Sequence, residues 1–141
     1  MRAKLSVAIA SVAVLLATRP VMGHHSFAAE FDEKKPITLK GTLTRMEWVN
    51  PHGWIYMDVK GPDGTVVNWG IEAGAPNALL RRGLRKTDFA PGTEIVVTGF
   101  LAKNGTATAN GRTVTLPDGR EFFAGSSNGG PADGADRAGQ H

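Results

Sequence analysis

Residues 37–48 read ITLKGTLTRMEW, and this stretch decides the fold of the chain. Apolar residues alternate with polar ones from Ile37 to Leu43, a period of two that predicts a β-strand. The phase then changes, because Met46 and Trp48 are the next apolar positions. A phase change inside a long strand indicates a β-bulge or sharp coil, which small barrels use to bend a strand around a corner.

The following segments continue this β pattern. Asn50-Pro51 ends the first strand, since proline cannot donate to a strand ladder. Residues 55–59 and 67–71 alternate on either side of the turn sequence GPDG at 61–64, and so predict a hairpin. A short helix is predicted to begin at Pro76 and to end before Gly83. Further strands are predicted at 95–101 and 112–116, with a last strand piece at 120–123.

This order of elements predicts the fold class. The chain is expected to be all-β with one short helix, an OB-fold-like five-stranded barrel with the helix between strands three and four. The alternative is another small β-barrel or sandwich with one capping helix.

The N-terminus has the layout of a secretory signal peptide at residues 1–23. Arg2 and Lys4 precede an apolar run at 5–17, which is followed by a more polar exit ending at Gly23. The apolar run is shorter than the roughly 20 residues of a transmembrane helix, so no membrane span is expected after the signal is removed. The alternative is an uncleaved anchor. The expected location is the periplasm or the medium of a bacterium.

The rest of the chain divides into three parts. Residues 24–35 are predicted to form an N-terminal arm, which Phe27 and Phe31 could pin to the body, and residues 36–124 the OB-like domain. Residues 125–141 lack aromatic and branched aliphatic side chains, which predicts a disordered tail.

The composition limits the kinds of partner that the chain is expected to bind. The net charge of +3 comes from Arg2, Lys4 and Arg19, which all lie in the predicted signal, so the mature chain is neutral. The charge therefore gives no support to nucleic acid as a partner. The chain has no cysteine, so an exported form must fold without disulfides and rely on its apolar core.

Four separated motifs carry a resemblance to a known family. They are HHSFAAEFD at 24–32, WVNPH at 48–52, APNALLRRG at 75–83 and LPDGR at 116–120. Together they resemble a family of small exported bacterial proteins that is catalogued as a domain of unknown function. The resemblance implies export and a single domain over about residues 24–127, and it implies no activity. Leu84 departs from the aromatic residue that members often have after Arg-Arg-Gly.

Three histidines form the candidate metal site: His24, His25 and His52. Cleavage after Gly23 makes His24 the first residue, whose free amine and ring could chelate a transition metal together with His52 or His25. A nitrogen-rich set of this kind favours Cu(II) or Ni(II), and copper is the cofactor predicted here. Glu30, Asp32 or Glu47 could add an oxygen or orient a ring.

Two alternatives to this metal site remain open. Cleavage after Met22 would expose Gly23-His24-His25, an amino-terminal chelator that also uses backbone amide nitrogens. Otherwise the histidines are only a polar start to the arm and a turn cap.

A second hypothesis is an OB-like module that binds a small ligand, an oligosaccharide or a protein partner without metal. By alternation Trp54 and Tyr56 share a face opposite Ile55 and Met57. Trp48 and Trp69 are expected in the core. The basic residues Arg81, Arg82, Arg85 and Lys86 are expected to be a solvated helix end.

An enzyme is not predicted. The chain has no cysteine thiolate, no Gly-x-Ser-x-Gly elbow, no phosphate loop and no dinucleotide fingerprint. Glu47, Asp58 and Glu72 could be paired carboxylates, but their spacing does not require it.

Overall fold

The computed structural model describes residues 27–126, and most of them lie in β-strands. The elements in chain order are α1 (Phe27–Glu30), β1 (Phe31–Glu47), β2 (Trp54–Lys60), β3 (Val66–Glu72), α2 (Pro76–Arg81), a 3-10 helix (Lys86–Phe89), β4 (Glu94–Ala102), β5 (Thr108–Thr115) and β6 (Glu121–Phe123). None of the helices in this part of the chain is long and apolar enough to cross a membrane.

The mostly-β class is confirmed, but two details of the prediction were wrong. The described residues hold two short α-helices, not one, because packing of Phe27 on the sheet supports a four-residue helix that has no sequence period. They also hold six strands, not five. The sixth is β6, which lies at the last strand piece predicted at 120–123, turns back over Pro117-Asp118-Gly119 and pairs with β5.

The bulge predicted in the first strand is present. Leu43 pairs with Met57 and Arg45 with Tyr56, so Thr44 is the extra residue on β1. The Thr44 hydroxyl donates a hydrogen bond to the Tyr56 carbonyl at 3.1 Å. The bulge moves Met46 to the side where it packs against the core.

The strands pair in a cycle. The sheet order is β3-β2-β1-β4-β5-β6, and these neighbours are antiparallel. A further, parallel pairing joins Gly70–Glu72 of β3 to residues 108–110 of β5. Each of β1 to β5 therefore has a partner on both sides. The hairpin between β2 and β3 turns at the predicted GPDG sequence, where Gly61 donates to the Thr65 carbonyl at 2.8 Å.

One face of the sheet supplies the apolar core. Its fully buried strand residues include Leu43, Ile55, Met57, Ile71, Val97 and Val114. Leu79 of α2, Leu84 and Phe89 pack against the same cluster, so the segment between β3 and β4 covers part of the core. Burial of this apolar area is the main stabilising term in a chain without disulfides.

The start of the described chain is attached to the outside of the sheet. β1 begins at Phe31, six residues before the predicted strand. The Phe27 ring stacks on Phe31 with centroids 5.8 Å apart and meets Phe100 edge-on at 5.5 Å. The Lys103 ammonium donates to the Ala28 carbonyl at 2.6 Å. Residues 24–26 of the predicted arm, the predicted signal and all but two residues of the predicted tail lie outside the described residues.

Candidate functional site

The outer face of β1, β2 and β3 carries most of the polar and aromatic candidates. Directly opposed residues of paired strands project on the same side of a sheet. Glu47 pairs with Trp54, and Trp54 pairs with Glu72, so these three form one row. The next row on this face contains Arg45, Tyr56 and Gly70. We call these two rows, with Asp58 and Asn68 beyond them, the outer face.

Two aromatic rings lie side by side on the outer face. Trp54 and Tyr56 are half-buried, with centroids 6.4 Å apart and an interplanar angle of 24°. The Arg45 guanidinium lies 4.2 Å from the Tyr56 centroid, a cation–π contact. Ile55 and Met57 are fully buried on the opposite face, so the predicted alternation is confirmed.

Glycine at position 70 lets the Tyr56 ring lie close to the sheet. A Cβ built at Gly70 would lie 3.4 Å from Cε1 of Tyr56 and 4.0 Å from Cε3 of Trp54. Thr108 is the parallel partner of Gly70 on β5. The absence of a side chain at position 70 therefore leaves this place on the sheet to the Tyr56 ring.

Polar partners surround the aromatic pair. The Arg45 guanidinium lies 3.1 Å from Glu47 Oε1. The Asn68 amide donates to Asp58 Oδ1 at 2.8 Å and to the Thr44 hydroxyl at 3.2 Å. The three carboxylates that sequence analysis considered as a set thus lie on one face, each beside a separate polar neighbour.

The third of these carboxylates, Glu72, lies beside His52. Nδ1 of His52 is 3.4 Å from Glu72 Oε1, and the two side chains are 31% and 13% exposed. Nδ1 itself is buried without a well-aligned hydrogen bond, so the exposed part of the ring lies on its other atoms. A carboxylate beside one ring nitrogen favours the tautomer in which the other nitrogen is a free acceptor or a metal ligand.

Backbone pairing holds the loop that carries His52. Gly53 donates to the Gly74 carbonyl at 3.0 Å, and Ala73 donates to the Gly53 carbonyl at 2.8 Å. These bonds continue the β2–β3 register beyond the strand ends. His52 is therefore positioned by the hairpin, although it precedes the first residue of β2.

Of the three predicted metal-site residues, only His52 belongs to the described part of the chain. His24 and His25 lie outside it. Within residues 27–126, no group of three or more histidine, cysteine, aspartate or glutamate side chains is arranged to hold a metal. Of the suggested oxygen donors, Glu47 pairs with Arg45 and Asp32 lies 3.9 Å from Lys35.

Sequence analysis did not connect Glu72 with His52, although the signal was present. The GPDG turn fixes the register of the β2–β3 hairpin. In that register Glu72 pairs with Trp54, and Trp54 follows His52 by two residues. Counting outward from the turn would have found the pair.

A line of neighbours connects Glu72 with the N-terminal segment. Glu72 pairs with Asn110 across β3 and β5, and Asn110 pairs with Phe100 across β5 and β4. Phe100 in turn contacts the Phe27 ring. The first described residues therefore lie two strands away from Glu72, at the same level of the sheet.

Three of the four basic residues after β3 are exposed, as predicted, and Arg82 is half-buried. The Arg82 guanidinium donates to the Gly125 carbonyl at 2.7 Å and lies 4.7 Å from the Phe123 centroid. Lys86 lies 5.8 Å from the centroid of Trp48. Trp48 and Trp69, both expected in the core, are half-buried residues packed against it.

An ion-pair network ties the β5–β6 turn to the 3-10 helix. Arg120 donates to Asp88 at 2.9 Å and to Asp118 at 2.7 Å. The side-chain hydrogen bond from Arg120 is the main cause that lowers the pKa of Asp88 below its ordinary value. For Asp118, the backbone and side-chain hydrogen bonds from Arg120 lower the pKa.

Comparison with known proteins assigns the family. No curated protein and no solved structure matches the chain significantly. The model of a family of unknown function (DUF6152) matches residues 10–111, which is more than two thirds of the sequence. The predicted resemblance to a family without an assigned activity is thereby confirmed, and the protein belongs to this family of unknown function.

Proposed function

We propose that this protein is an exported, periplasmic binding protein that holds a divalent transition metal, with Cu(II) as the best fit, between its N-terminal histidines and His52. The proposal includes an OB-type barrel as the scaffold. Three observations support that scaffold: the cycle of pairings through β1 to β5, the bulge in β1, and helix α2 between β3 and β4.

The observation that carries the metal proposal is the pair formed by His52 and Glu72. A histidine that ligates a metal usually has its other ring nitrogen beside a carboxylate, a carbonyl or a water, which orients the ring. Nδ1 of His52 faces Glu72 at 3.4 Å in a buried position, while the side chain as a whole is 31% exposed. This arrangement suits Nε2 as a ligand for a metal approaching from solvent.

The attachment of the N-terminal segment brings the other ligands within reach. Phe27 contacts Phe100, and Phe100 is two strand spacings of about 4.8 Å from Glu72. His24 precedes Phe27 by three residues, and an extended chain spans about 3.5 Å per residue. His24 and His25 can therefore reach the rim of the outer face where His52 lies.

The ligand set determines the metal. If the export signal ends at Gly23, the free amine and ring of His24 join the ring of His52, and His25 is available as a further imidazole. Nitrogen-rich sites of tetragonal geometry favour Cu(II) over Zn(II), and Cu(II) binds such donors more tightly than Ni(II). The amine must be deprotonated to bind, so copper affinity should fall as the pH is lowered.

Copper titration of the exported protein tests this proposal. The chain is secreted by a Sec-competent bacterium, its mass is measured, and Cu(II) binding is followed by calorimetry for the wild type, His24→Ala and His52→Ala. We expect a mature chain that starts at His24, one bound Cu(II), and a loss of affinity of roughly tenfold or more in each variant. His141→Ala is the matched control and should bind like the wild type.

A different N-terminus, or copper binding that neither substitution weakens, would contradict the metal site. Loss of binding in His24→Ala alone would indicate a local terminal chelate and would exclude the participation of His52.

A second candidate function is supported by the aromatic pair. Trp54 and Tyr56 present half-buried rings on a rigid sheet, flanked by the polar groups of the outer face. Such a surface suits an OB-like module that binds a small ligand, an oligosaccharide or a protein segment without metal.

A further inference from the structure

We infer that two copies of this chain pair edge to edge through the first half of β3, as antiparallel strands around a twofold axis at Val67. The inference does not rest on the copper site. The pairing of β3 with β5 begins at Gly70, whose N–H donates to the Ala107 carbonyl at 3.0 Å. Residues 66–69 therefore have β2 on one side and, within residues 27–126, no strand on the other. A free strand edge is a template for pairing with another strand.

The backbone groups at this free edge belong to Val66 and Asn68. In an antiparallel ladder, residues that exchange hydrogen bonds alternate with residues whose N–H and C=O point away from the partner strand. Gly61 donates to the Thr65 carbonyl across the hairpin, so the odd-numbered residues of β3 bond to β2. Gly70 donates to the opposite side, as an even-numbered residue should. The outward N–H and C=O groups of Val66 and Asn68 have no backbone partner in the described part of the chain.

The free edge lacks the residues that block strand pairing. Natural strand edges are protected by charged side chains, above all Lys, and by Pro. Residues 65–71 read TVVNWGI, with neither a charge nor a proline. Val66 and Val67 are 56% and 40% exposed, although β-branched side chains gain from packing against a neighbouring strand. This composition favours association through the edge.

One register satisfies all the free backbone groups of the edge. With Val67 on the twofold axis, Val66 of one copy lies opposite Asn68 of the other, and each such pair exchanges two N–H···O bonds. A register centred on Asn68 would need the N–H of Gly70, which already donates to the β4–β5 loop. A register centred on Val66 would need the N–H of Gly64, which closes the hairpin turn.

The side chains are self-complementary in the same register. Directly opposed residues project on the same side of a sheet, so Val67 meets Val67 of the other copy. On the outer face, Val66 pairs with Lys60 and Asn68 pairs with Asp58. Each row that crosses the axis therefore has Lys60 of one copy at one end and Asp58 of the other copy at the other end. No like charges oppose each other, which favours a second copy as the occupant.

The size of the contact predicts a weak dimer. Stable interfaces use about 20–30 residues from each partner, whereas the strand pairing proposed here uses residues 65–69. We therefore expect a reversible dimer with a Kd of about 10 µM to 1 mM.

Cysteine cross-linking tests the register. The chain has no cysteine, so Val67→Cys introduces one thiol per copy, at a non-hydrogen-bonded pair with Cα atoms about 4.5 Å apart, which a disulfide can bridge. Val66→Cys is the matched control, because this position is more exposed but its two copies would lie more than about 7 Å apart. With diamide as the oxidant, in EDTA, we expect Val67→Cys to form the linked dimer roughly tenfold faster than Val66→Cys.

Sedimentation equilibrium of the secreted chain in EDTA measures the dimer itself. Val66→Pro removes one outward N–H, and proline is tolerated as the first residue of an edge strand. It should weaken dimerisation by roughly tenfold or more, whereas Val66→Ala keeps the N–H and should weaken it by less than about threefold. Val67→Lys places two like charges at the axis and should abolish the dimer. Circular dichroism confirms folding, and Val67→Lys keeps the test valid if Val66→Pro unfolds.

Three results would overturn the inference: a wild type that stays monomeric up to about 1 mM, a dimer that neither Val66→Pro nor Val67→Lys weakens, or cross-linking of Val66→Cys as fast as that of Val67→Cys. Because EDTA removes metal, copper cannot link the copies in these experiments. Failure of the copper site therefore leaves this outcome unaffected.

Discussion

At the scale of single residues, Glu72 is the carboxylate that lies beside Nδ1 of His52. The carboxylate lies 3.4 Å from Nδ1, and His52 lies in a loop whose backbone is tied to Gly74. Sequence reasoning could select His52 because it lies in a turn between two strands. It missed Glu72, because the linear spacing of the carboxylates is uninformative unless the hairpin register is counted outward from the GPDG turn.

The His52–Glu72 pair predicts that Glu72→Gln weakens copper affinity without abolishing it. The amide keeps the shape of the side chain but removes the charge that favours a protonated Nδ1 and a basic Nε2. Loss of such a supporting carboxylate costs about 10- to 100-fold in metal affinity. Competition titration against a coloured chelator measures this loss, and Glu94→Gln, an exposed carboxylate at the start of β4, is the matched control that should retain wild-type affinity. Equal affinities for all three proteins would contradict the role given to Glu72.

Gly41 is a second residue whose identity the structure explains. A Cβ at this position would overlap the Asp58 carbonyl oxygen, because β1 and β2 approach closely before the bulge. Gly41→Ala should therefore force a backbone shift and destabilise the fold by about 1–3 kcal/mol. Urea unfolding followed by circular dichroism measures the change.

Gly70→Ala is the matched control for that experiment. Both glycines lie inside strands, but a Cβ at Gly70 meets only the Tyr56 and Trp54 side chains, at 3.4–4.0 Å. We expect the unfolding midpoint of Gly70→Ala to stay close to that of the wild type. A similar loss of stability in both variants would contradict this explanation. It would show that replacing any strand glycine destabilises the fold, whether or not the strands approach closely there.

At the scale of elements, alternation and turn residues predicted most of the sheet. The phase change after Leu43 located the bulge, and the GPDG turn located the β2–β3 hairpin. Helix α1 was not predicted, because four residues are too few to show a helical period of apolar positions. Tertiary contacts of Phe27 support this helix. The start of β1 escaped for a similar reason, since the charged residues after Phe31 do not alternate with apolar ones.

The β5–β6 turn offers a pH prediction at this scale. Arg120 lowers the pKa of both Asp88 and Asp118 below the ordinary value of 3.8. A carboxyl group whose pKa is lower in the folded state stabilises the fold above its unfolded pKa, and this stabilisation is lost as the pH falls through the folded value. The contribution is therefore present at neutral pH, begins to decline below about pH 4 and is lost as the pH falls through the lowered folded pKa values.

Thermal unfolding of Arg120→Ala tests this predicted loss of stabilisation at acid pH. At neutral pH the variant should melt slightly below the wild type, because the Arg120 side chain is 47% exposed and solvent screens its ion pairs. The difference between the two proteins should shrink as the pH is lowered from about 5 to 2. Lys60→Ala, an exposed cation outside the network, should show no such convergence. A difference that grows in acid would contradict the assignment.

At the scale of the whole molecule, the pairing of β3 with β5 brings the outer face and the N-terminal segment together. This parallel contact covers only residues 70–72 of β3, and no local pattern predicts it. Through it, Glu72 becomes a neighbour of Asn110 and, one strand further, of Phe100 and Phe27. The position of Phe27 relative to Glu72 was beyond sequence reasoning, because it depends on this long-range pairing.

Pulsed electron paramagnetic resonance of the secreted protein with one equivalent of Cu(II) tests the central claim most directly, because the remote imidazole nitrogens modulate the echo. We predict that at least two imidazoles are coordinated in the wild type, and that His52→Ala removes one of them while His141→Ala removes none. A spectrum that His52→Ala leaves unchanged would contradict a metal site shared between the N-terminal histidines and His52.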